Sequence, residues 1–494
     1  MTAAPARHAA LIEGLARIVG PKWVRHRRAE LATFSMDGLP TRESYPALVV
    51  MPATAAEVRE IIRLLHILDV PFVARGAGTG LSGGAVADPD TVLLTLTRMN
   101  RVLRVDPANR RATVEPGVVN ARLSDAVLPF GLHYVPDPSS QSACTVGGNV
   151  AENAGGPHCL KYGVTTNHIV ELDVVRSDGS TVRLGSPQGE PWGPDLVGLF
   201  VGSEGMFGVA VAITVRLEPL PESVRTMLAD FDTVRGASEA VSAIIAAGIV
   251  PAALEMMDRA CVAAVEASIY AAGYPTDAEA VLLVELDGAA EAVSGEAEAV
   301  EALLRERGAR SVRSATSPAD RARLWQGRKK AFGAMGRIAP DLAVQDAVVP
   351  RSALPDIMDR IAEVRDRYGL SISNVFHAGD GNLHPNISFD RRDPDLAHRV
   401  HEACREIMAA CVAAGGSITG EHGVGSDKLD YMEWIFDAET LGAMRAVRRV
   451  FDPGERANPG KVLPMHACRE WVGHARMRHD RVRPEPALQD PVRA

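Results

Sequence analysis

Three glycine-rich loops crowd between residues 75 and 208, and they restrict the fold more than any other feature of the chain. The first reads Arg75-Gly76-Ala77-Gly78-Thr79-Gly80-Leu81-Ser82-Gly83. The second runs through Pro136-Asp137-Pro138-Ser139-Ser140 and on to Cys144-Thr145-Val146-Gly147-Gly148-Asn149. The third reads Gly202-Ser203-Glu204-Gly205-Met206-Phe207-Gly208. Glycine permits sharp turns and lets a ligand approach the backbone. Gly78 to Gly83 matches G-x-G-x-x-G, but a dinucleotide loop of that kind opens a helix. Here Pro89 and a β-rich run follow, so the loop reads instead as a nest of backbone N–H groups around phosphate oxygens. A surface turn rarely needs so many glycines. Three such loops point to one extended, phosphate-bearing ligand lying along a domain.

Between the loops the pattern alternates. Ala47–Met51 and Pro71–Ala74 read as strands around a helix at Thr54–Leu68, with Thr54 as N-cap and Glu57 at the reciprocal capping position. Strands follow at Val92–Leu96 and Ala112–Val114, and a helix at Asn120–Leu128. Residues 136–166 read as one long irregular segment, uncommon in a compact domain unless functional. Strands at Ile169–Ser177 and Thr181–Leu184 are joined by a Ser-Asp-Gly hairpin turn. Gly198–Leu217 reads as a glycine turn and then a β-rich run. Pro219 and Pro221 mark a boundary. Beyond it, helices (Gly236–Ala247, Ser294–Arg307, Leu396–Ala414, Ala438–Val450) mix with strands (Val281–Leu286, Ser371–Phe376), the pattern of an α+β domain.

At 494 residues more than one core is expected. The net charge of −9, with no basic run, argues against nucleic acid as a partner. No apolar stretch is long enough to span a membrane. The first 28 residues hold several arginines and one acid, Glu13, a composition shared with mitochondrial presequences. An amphipathic helix over Ala9–Val19, with apolar face Leu11, Leu15, Ile18 and Val19, is the favoured reading. The six cysteines (144, 159, 261, 404, 411, 468) form no Cys-x-x-Cys. They read as idle thiols of a reducing compartment, and the chain carries no iron–sulfur motif of its own.

The chemistry concentrates downstream. Residues 376–386 read Phe-His-Ala-Gly-Asp-Gly-Asn-Leu-His-Pro-Asn, and residues 420–425 read Gly-Glu-His-Gly-Val-Gly. If His377 and His384 end and begin two antiparallel strands, they become cross-strand neighbours, with Cβ atoms about 5 Å apart. Two imidazoles so placed can share a metal. Glu421 offers a third, anionic ligand, giving a two-His, one-carboxylate site with an open position. Asn386, two residues beyond His384, falls on the same sheet face. Glu421 and His422 are adjacent and would point to opposite faces of a regular strand. Gly420 and Gly423 permit the kink that would let both serve one site. Arg328, in Leu-Trp-Gln-Gly-Arg-Lys-Lys, reads on composition alone as a solvated helix arginine.

Taken together, the three loops and the two histidine segments resemble the FAD-linked D-2-hydroxyacid dehydrogenases, flavoproteins of the vanillyl-alcohol-oxidase type, and among them the FAD-linked subunits of bacterial glycolate oxidases. The resemblance covers roughly residues 40–465 and implies the following expectations. The fold is α+β: a two-part FAD-binding domain (42–220) and an α+β substrate or cap domain with a C-terminal FAD-contacting segment (221–465), flanked by an N-terminal helical segment (1–41) read from its apolar helix pattern and a mobile tail (466–494) read from its Arg-, Pro- and His-rich composition. Arg75, Gly76, Ala77, Gly78, Thr79, Gly80, Ser82 and Gly83 meet the pyrophosphate. Pro136, Asp137, Ser140, Cys144, Thr145, Gly147, Gly148, Asn149, Ala151 and Asn153 lie along the flavin, with Glu204, Gly205, Gly208, Val209 and Asn458. His377, His384 and Glu421 hold a divalent metal (Zn, Mn or Fe). His422 is the base, while Asn386, by its sheet position and not by the resemblance, is the candidate catalytic residue that hydrogen-bonds whatever sits on that face. Arg328 holds the carboxylate of a small 2-hydroxy acid, glycolate or D-lactate. Relatives acting on dicarboxylates carry a lysine further along, where this chain reads Asp341-Leu342-Ala343-Val344-Gln345 with no base. Electrons leave to an external acceptor: flavin-binding and iron–sulfur partner subunits on the cytoplasmic face of the membrane, or a quinone or cytochrome serving a stand-alone D-lactate dehydrogenase. A non-redox metallohydrolase would leave the glycine loops without a purpose.

Overall fold

Thr54 opens the first buried helix of the N-terminal unit. Its hydroxyl accepts from Glu57 N at 3.1 Å. The Glu57 carboxylate reaches back to Ala53 N at 2.6 Å, one residue outside the N-cap and so not to the cap itself. The helix, Ala55–Ile67, buries Val58, Ile61, Ile62 and Leu65, each contributing about 1.5–3 kcal/mol by leaving water. They pack on parallel strands Leu48–Val50 and Phe72–Arg75, with Val92–Thr95 between them. The N-terminal helix Ala3–Val19 completes this core through Leu11, Leu15 and Val19. The computed structural model describes residues 3–188 and 193–464; the tail expected at 466–494 lies outside them.

A second sheet of five antiparallel strands follows, ordered Val102–Asp106, Arg111–Val114, Val209–Arg216, Ile169–Val175 and Thr181–Gly185. Strand Val102–Asp106 went unread in the sequence because it is an edge strand with largely solvated side chains. The segment 136–166 is less irregular than its composition implies. It holds helix Val146–Glu152, which Thr145 caps by accepting from Gly148 N at 3.2 Å, and the turn of helix Cys159–Tyr162. Glycine disguised the first of these. A Cβ at Gly147 would come within 2.6 Å of Pro116 Cβ, so close packing, not flexibility, selects the residue. Likewise Leu196–Phe200 is a short helix before its strand.

The central unit is one large sheet with helices on both faces. Its path runs Ala309–Ser314, Ser223–Phe231, Ala280–Gly288, Ala253–Asp258, Ser371–His377, Asn382–Leu383 and Ala347–Val348, while Pro385–Phe389 pairs with both Ser371–His377 and Asp341–Val344. Helices Val234–Ala246, Ala290–Glu306, Leu354–Tyr368 and Pro394–Ala413 cover one face, where Cys404 and Cys411 are buried. Arg259–Glu266 and Pro318–Lys329 cover the other.

The chain then returns to the N-terminal unit. Helix Ala438–Phe451 brings Phe451 to stack on Phe207 at 4.7 Å. Phe72 N donates to Arg456 O, and Asn458 N donates to Phe72 O at 2.8 Å. Asn458 Nδ2 also bridges the carbonyls of Gly84 and Glu204.

Candidate active site

One continuous cavity lies between the two units. Arg75–Leu81, Pro138–Ser140, Thr145, Gly147–Glu152, Glu204, Gly205, Gly208 and Val209 border it on one side, and Arg328, Lys329, Phe332, Leu342, Val344, His377, His384, Glu421 and His422 on the other. A Cβ added at Gly80 or Gly205 would have no neighbour nearer than 3.8 Å, so the glycines leave open space facing the cavity. Among the described residues, the amides of Ala77 to Gly80 meet no protein acceptor, the condition of a nest waiting for an anion. Arg75 braces this loop through Met36 O at 2.8 Å.

At the far end the imidazoles converge. The hairpin pairs His377 with Asn382, so His384 sits diagonally across from His377, not directly opposite. The turn is tighter than sequence spacing suggested, yet both rings share a face, 5.3 Å apart and at 88°. Glu421 Oε1 lies 3.3 Å from His377 Nε2 and 3.1 Å from His384 Nε2. The three ligand atoms fall within 4.8 Å of one another. Each outer nitrogen is fixed: His377 Nδ1 meets Glu255 Oε1 at 2.8 Å, and His384 Nδ1 meets Gln345 O at 3.1 Å. Such second partners set tautomer and ring orientation in metal sites, so the donor set fits a divalent cation. Burial alone would raise the Glu421 pKa, but its bonds to the two histidines hold it well below the usual carboxylate range.

His422 stacks on His384 at 4.9 Å, its Nε2 lying 3.6 Å from Glu421 Oε1. Burial pushes its pKa down to about 4, leaving a neutral imidazole able to accept a proton. The kink that brings Glu421 and His422 to one site is held by Asp346, which the sequence reading missed. Its carboxylate accepts from the amides of Gly420, Glu421 and His422 at 3.0–3.3 Å and from Thr419 Oγ1 at 2.6 Å. Burial would raise its pKa, but Lys428, 3.0 Å away, and the neighbouring imidazoles pull it well down.

Arg328 is not a solvated helix arginine. It is 1% exposed on its side chain, and its Nη2 lies 2.5 Å from Glu255 Oε2. Glu255, also unforeseen, is the register partner of His377 across the sheet, so one carboxylate joins the guanidinium to the imidazole.

Other expected residues stand behind the wall. Asn386 does not reach the cavity: its Nδ2 turns to His384 O at 2.5 Å. Ser82 and Gly83 lie under the nest, where Ser82 O accepts from Ser426 N and Asp427 N. Pro136 O accepts from Asn120 Nδ2. Asp137 is committed to His158 Nδ1 at 2.8 Å and Lys329 Nζ at 3.0 Å. Burial would raise its pKa, but those two cations draw it down to about 2. Cys144 is buried, with its thiol pushed up to about 11 by burial. Asn153 terminates helix Val146–Glu152 at φ 54° and accepts from Thr166 N. Asn458 joins the carbonyls named above. These residues shape the cavity wall without bordering it.

Two family models match the chain, "FAD binding domain" over residues 46–185 and "FAD linked oxidases, C-terminal domain" over residues 220–462. The chain is 46% identical over 467 residues to "Glycolate oxidase subunit GlcD" of Escherichia coli (strain K12), covering 94% of this chain and 93% of that protein. It is 33% identical over 418 residues to "D-lactate dehydrogenase" of Archaeoglobus fulgidus, covering 84% and 91%. The solved structure of p-cresol methylhydroxylase with substrate bound superposes at a TM-score of 0.80 with 17% identity, covering 93% of this chain and 97% of that one, a likeness of fold.

Proposed function

The chain belongs to the FAD-linked oxidases, and from that premise we propose that it oxidises a small 2-hydroxy acid, glycolate or D-lactate, to the 2-oxo acid. One observation carries this reading: the His377, His384, Glu421 and His422 cluster and the glycine loops border the same cavity. FAD, which the loops at 75–80, 138–151 and 205–209 would hold, would supply the hydride acceptor, and a divalent cation held by His377, His384 and Glu421 would supply Lewis acidity at the substrate oxygen.

The residues around them have separate tasks. Among the described residues, Arg328 Nε and Nη1 are buried without a protein partner, which suits them to a substrate carboxylate. His422 Nε2 takes the hydroxyl proton. Phe332, Leu342 and Val344 line the cavity and keep water from the reacting carbon. The Lys329 ammonium is already paired with Asp137, and the strand Asp341–Val344 offers no cation, so a monocarboxylate is favoured.

The test is anaerobic mixing of the yellow protein with glycolate and with D-lactate. Loss of the flavin band near about 450 nm is expected; no loss with any short 2-hydroxy acid overturns the assignment. Arg328→Lys keeps a charge beside Glu255 but removes the planar fork. It is expected to lower kcat/KM by roughly ten- to a hundredfold, the worth of a charged hydrogen bond, chiefly through KM. An unchanged KM would rule out Arg328 as the carboxylate anchor.

For the electrons we propose an external acceptor within an assembly, supported by the word "subunit" in the relative's name and by five free, unclustered cysteines among the described residues. Among the described residues no helix is long and apolar enough to cross a membrane. We place the protein in the cytoplasm, at the membrane only through partners. The D-lactate dehydrogenase relatives keep a stand-alone enzyme as the second reading. Copurification from the native host separates the two.

A further inference from the structure

We propose that Glu204 is a positioning residue for Glu421 and His422: from the FAD-binding side it suspends the turn that carries both of them. The inference rests on the reading of that turn as the metal and base site.

Among the described residues, the amides of the turn 420–425 donate to no backbone carbonyl. Asp346 takes the amides of Gly420, Glu421 and His422. Glu204 takes the next two: Val424 N donates to its Oε1 at 2.7 Å, and Gly425 N to its Oε2 at 2.8 Å. Five of six consecutive amides thus end on two buried carboxylates, one from each unit of the protein. Asp346 is carried by the same unit as the histidines. Glu204 is not: it ties the amides of the turn itself to the glycine loops, beside Ser82, whose carbonyl takes the amides of Ser426 and Asp427 just beyond the turn.

Several features show that Glu204 is built for this contact. It lies at φ 49°, a conformation a glycine would adopt without strain. It is 4% exposed. Its N–H donates to Ala151 O at 2.8 Å, and its carbonyl accepts from Asn458 Nδ2 at 2.5 Å, so its backbone is fixed to helix Val146–Glu152 and to the returning C-terminal segment. On the opposite side the turn makes room. Gly423, at φ 80°, has no Cβ; one added there would lie 2.4 Å from Glu152 Oε2 and 2.6 Å from Glu204 Oε1. The loop 202–208 therefore does two things: Glu204, Gly205 and Gly208 border the cavity, and the Glu204 carboxylate also sets where the opposite wall places its imidazole and carboxylate.

The test uses the full-length, FAD-loaded protein, stripped of metal with chelator and titrated with Co²⁺. Glu204→Gln retains one acceptor oxygen and loses the other. It is expected to keep FAD at unit stoichiometry and an unchanged KM. Its Co²⁺ affinity and kcat should each fall about 10- to 100-fold, the usual cost of disturbing a group that orients metal ligands. Gly423→Ala approaches the same contact from the other unit and is expected to weaken Co²⁺ binding similarly; it decides the matter should the Gln variant not fold. Unchanged Co²⁺ affinity and kcat overturn the inference, as does loss of FAD with normal Co²⁺ binding, which would make Glu204 a cofactor holder. Wild-type protein that binds no Co²⁺ sinks the metal-site reading, and the inference with it. Wild-type binding with an indifferent Glu204→Gln removes the inference alone.

Discussion

His422→Ala is expected to bind FAD normally and to reduce it about 10²- to 10⁴-fold more slowly with glycolate or D-lactate, the range that general-base catalysis supplies. The expectation follows from where the imidazole lies. Its ring stacks on His384, its amide is fixed by Asp346 at 3.0 Å, and burial keeps it neutral. It therefore needs no deprotonation at neutral pH before it can accept the substrate's proton. The FAD-side loops take their shape from contacts that do not include this side chain, so cofactor content should survive. Anaerobic stopped-flow absorbance separates the two quantities: the starting flavin band reports occupancy and its decay reports chemistry. A wild-type decay rate in the variant would remove His422 as the base.

Glu421→Gln is expected to cost at least about a hundredfold in flavin reduction, because a Lewis acid at a developing alkoxide is worth several kcal/mol. The substitution preserves shape and removes one negative charge from the point where His377 Nε2 and His384 Nε2 converge, 3.3 and 3.1 Å away. Bound metal, measured by elemental analysis after dialysis, should fall with the rate. Chelation of the wild-type protein should produce the same loss, reversed by adding back Zn²⁺ or Mn²⁺. Full metal content and full rate in the variant would exclude Glu421 as a ligand. A chelator-insensitive wild-type enzyme would exclude metal from the reaction.

The fold and site differ in how far the sequence reveals them, for a physical reason. Helix Ala55–Ile67 and the hairpin of Ile169–Val175 and Thr181–Gly185 are legible because periodicity and turn residues are local signals. The glycine loops are legible because so many glycines have little other use. Helix Val146–Glu152 is not, since Gly147 obeys a packing demand from Pro116 that no short window of sequence contains. The ligating residues stand out as His and Glu among glycines, but the contacts made by the carboxylates that orient them do not. Glu255 is 122 residues from His377 and is an ordinary acid in its own neighbourhood, while Glu204 stands out in its glycine loop but gives no local sign of its contact with Val424, 220 residues away. Arg328 looks solvated from its polar helix, yet its side chain is buried against Glu255, a residue of a strand distant in sequence. Asn386 turns its Nδ2 back to His384 O and does not border the cavity, a contact that the alternation of sheet faces does not reveal.

The returning segment gives the molecule the layout of a graft. Phe451 and Ala457 belong to the cores of a host unit begun some hundreds of residues earlier, and the sheet bearing the histidines is a scion inserted between. Any exchange of that scion for another, in evolution or by recombination, must therefore heal two seams at once, near Pro219 and before Ala438. A single crossover would leave the host without its final stitches at Phe72 and Gly84.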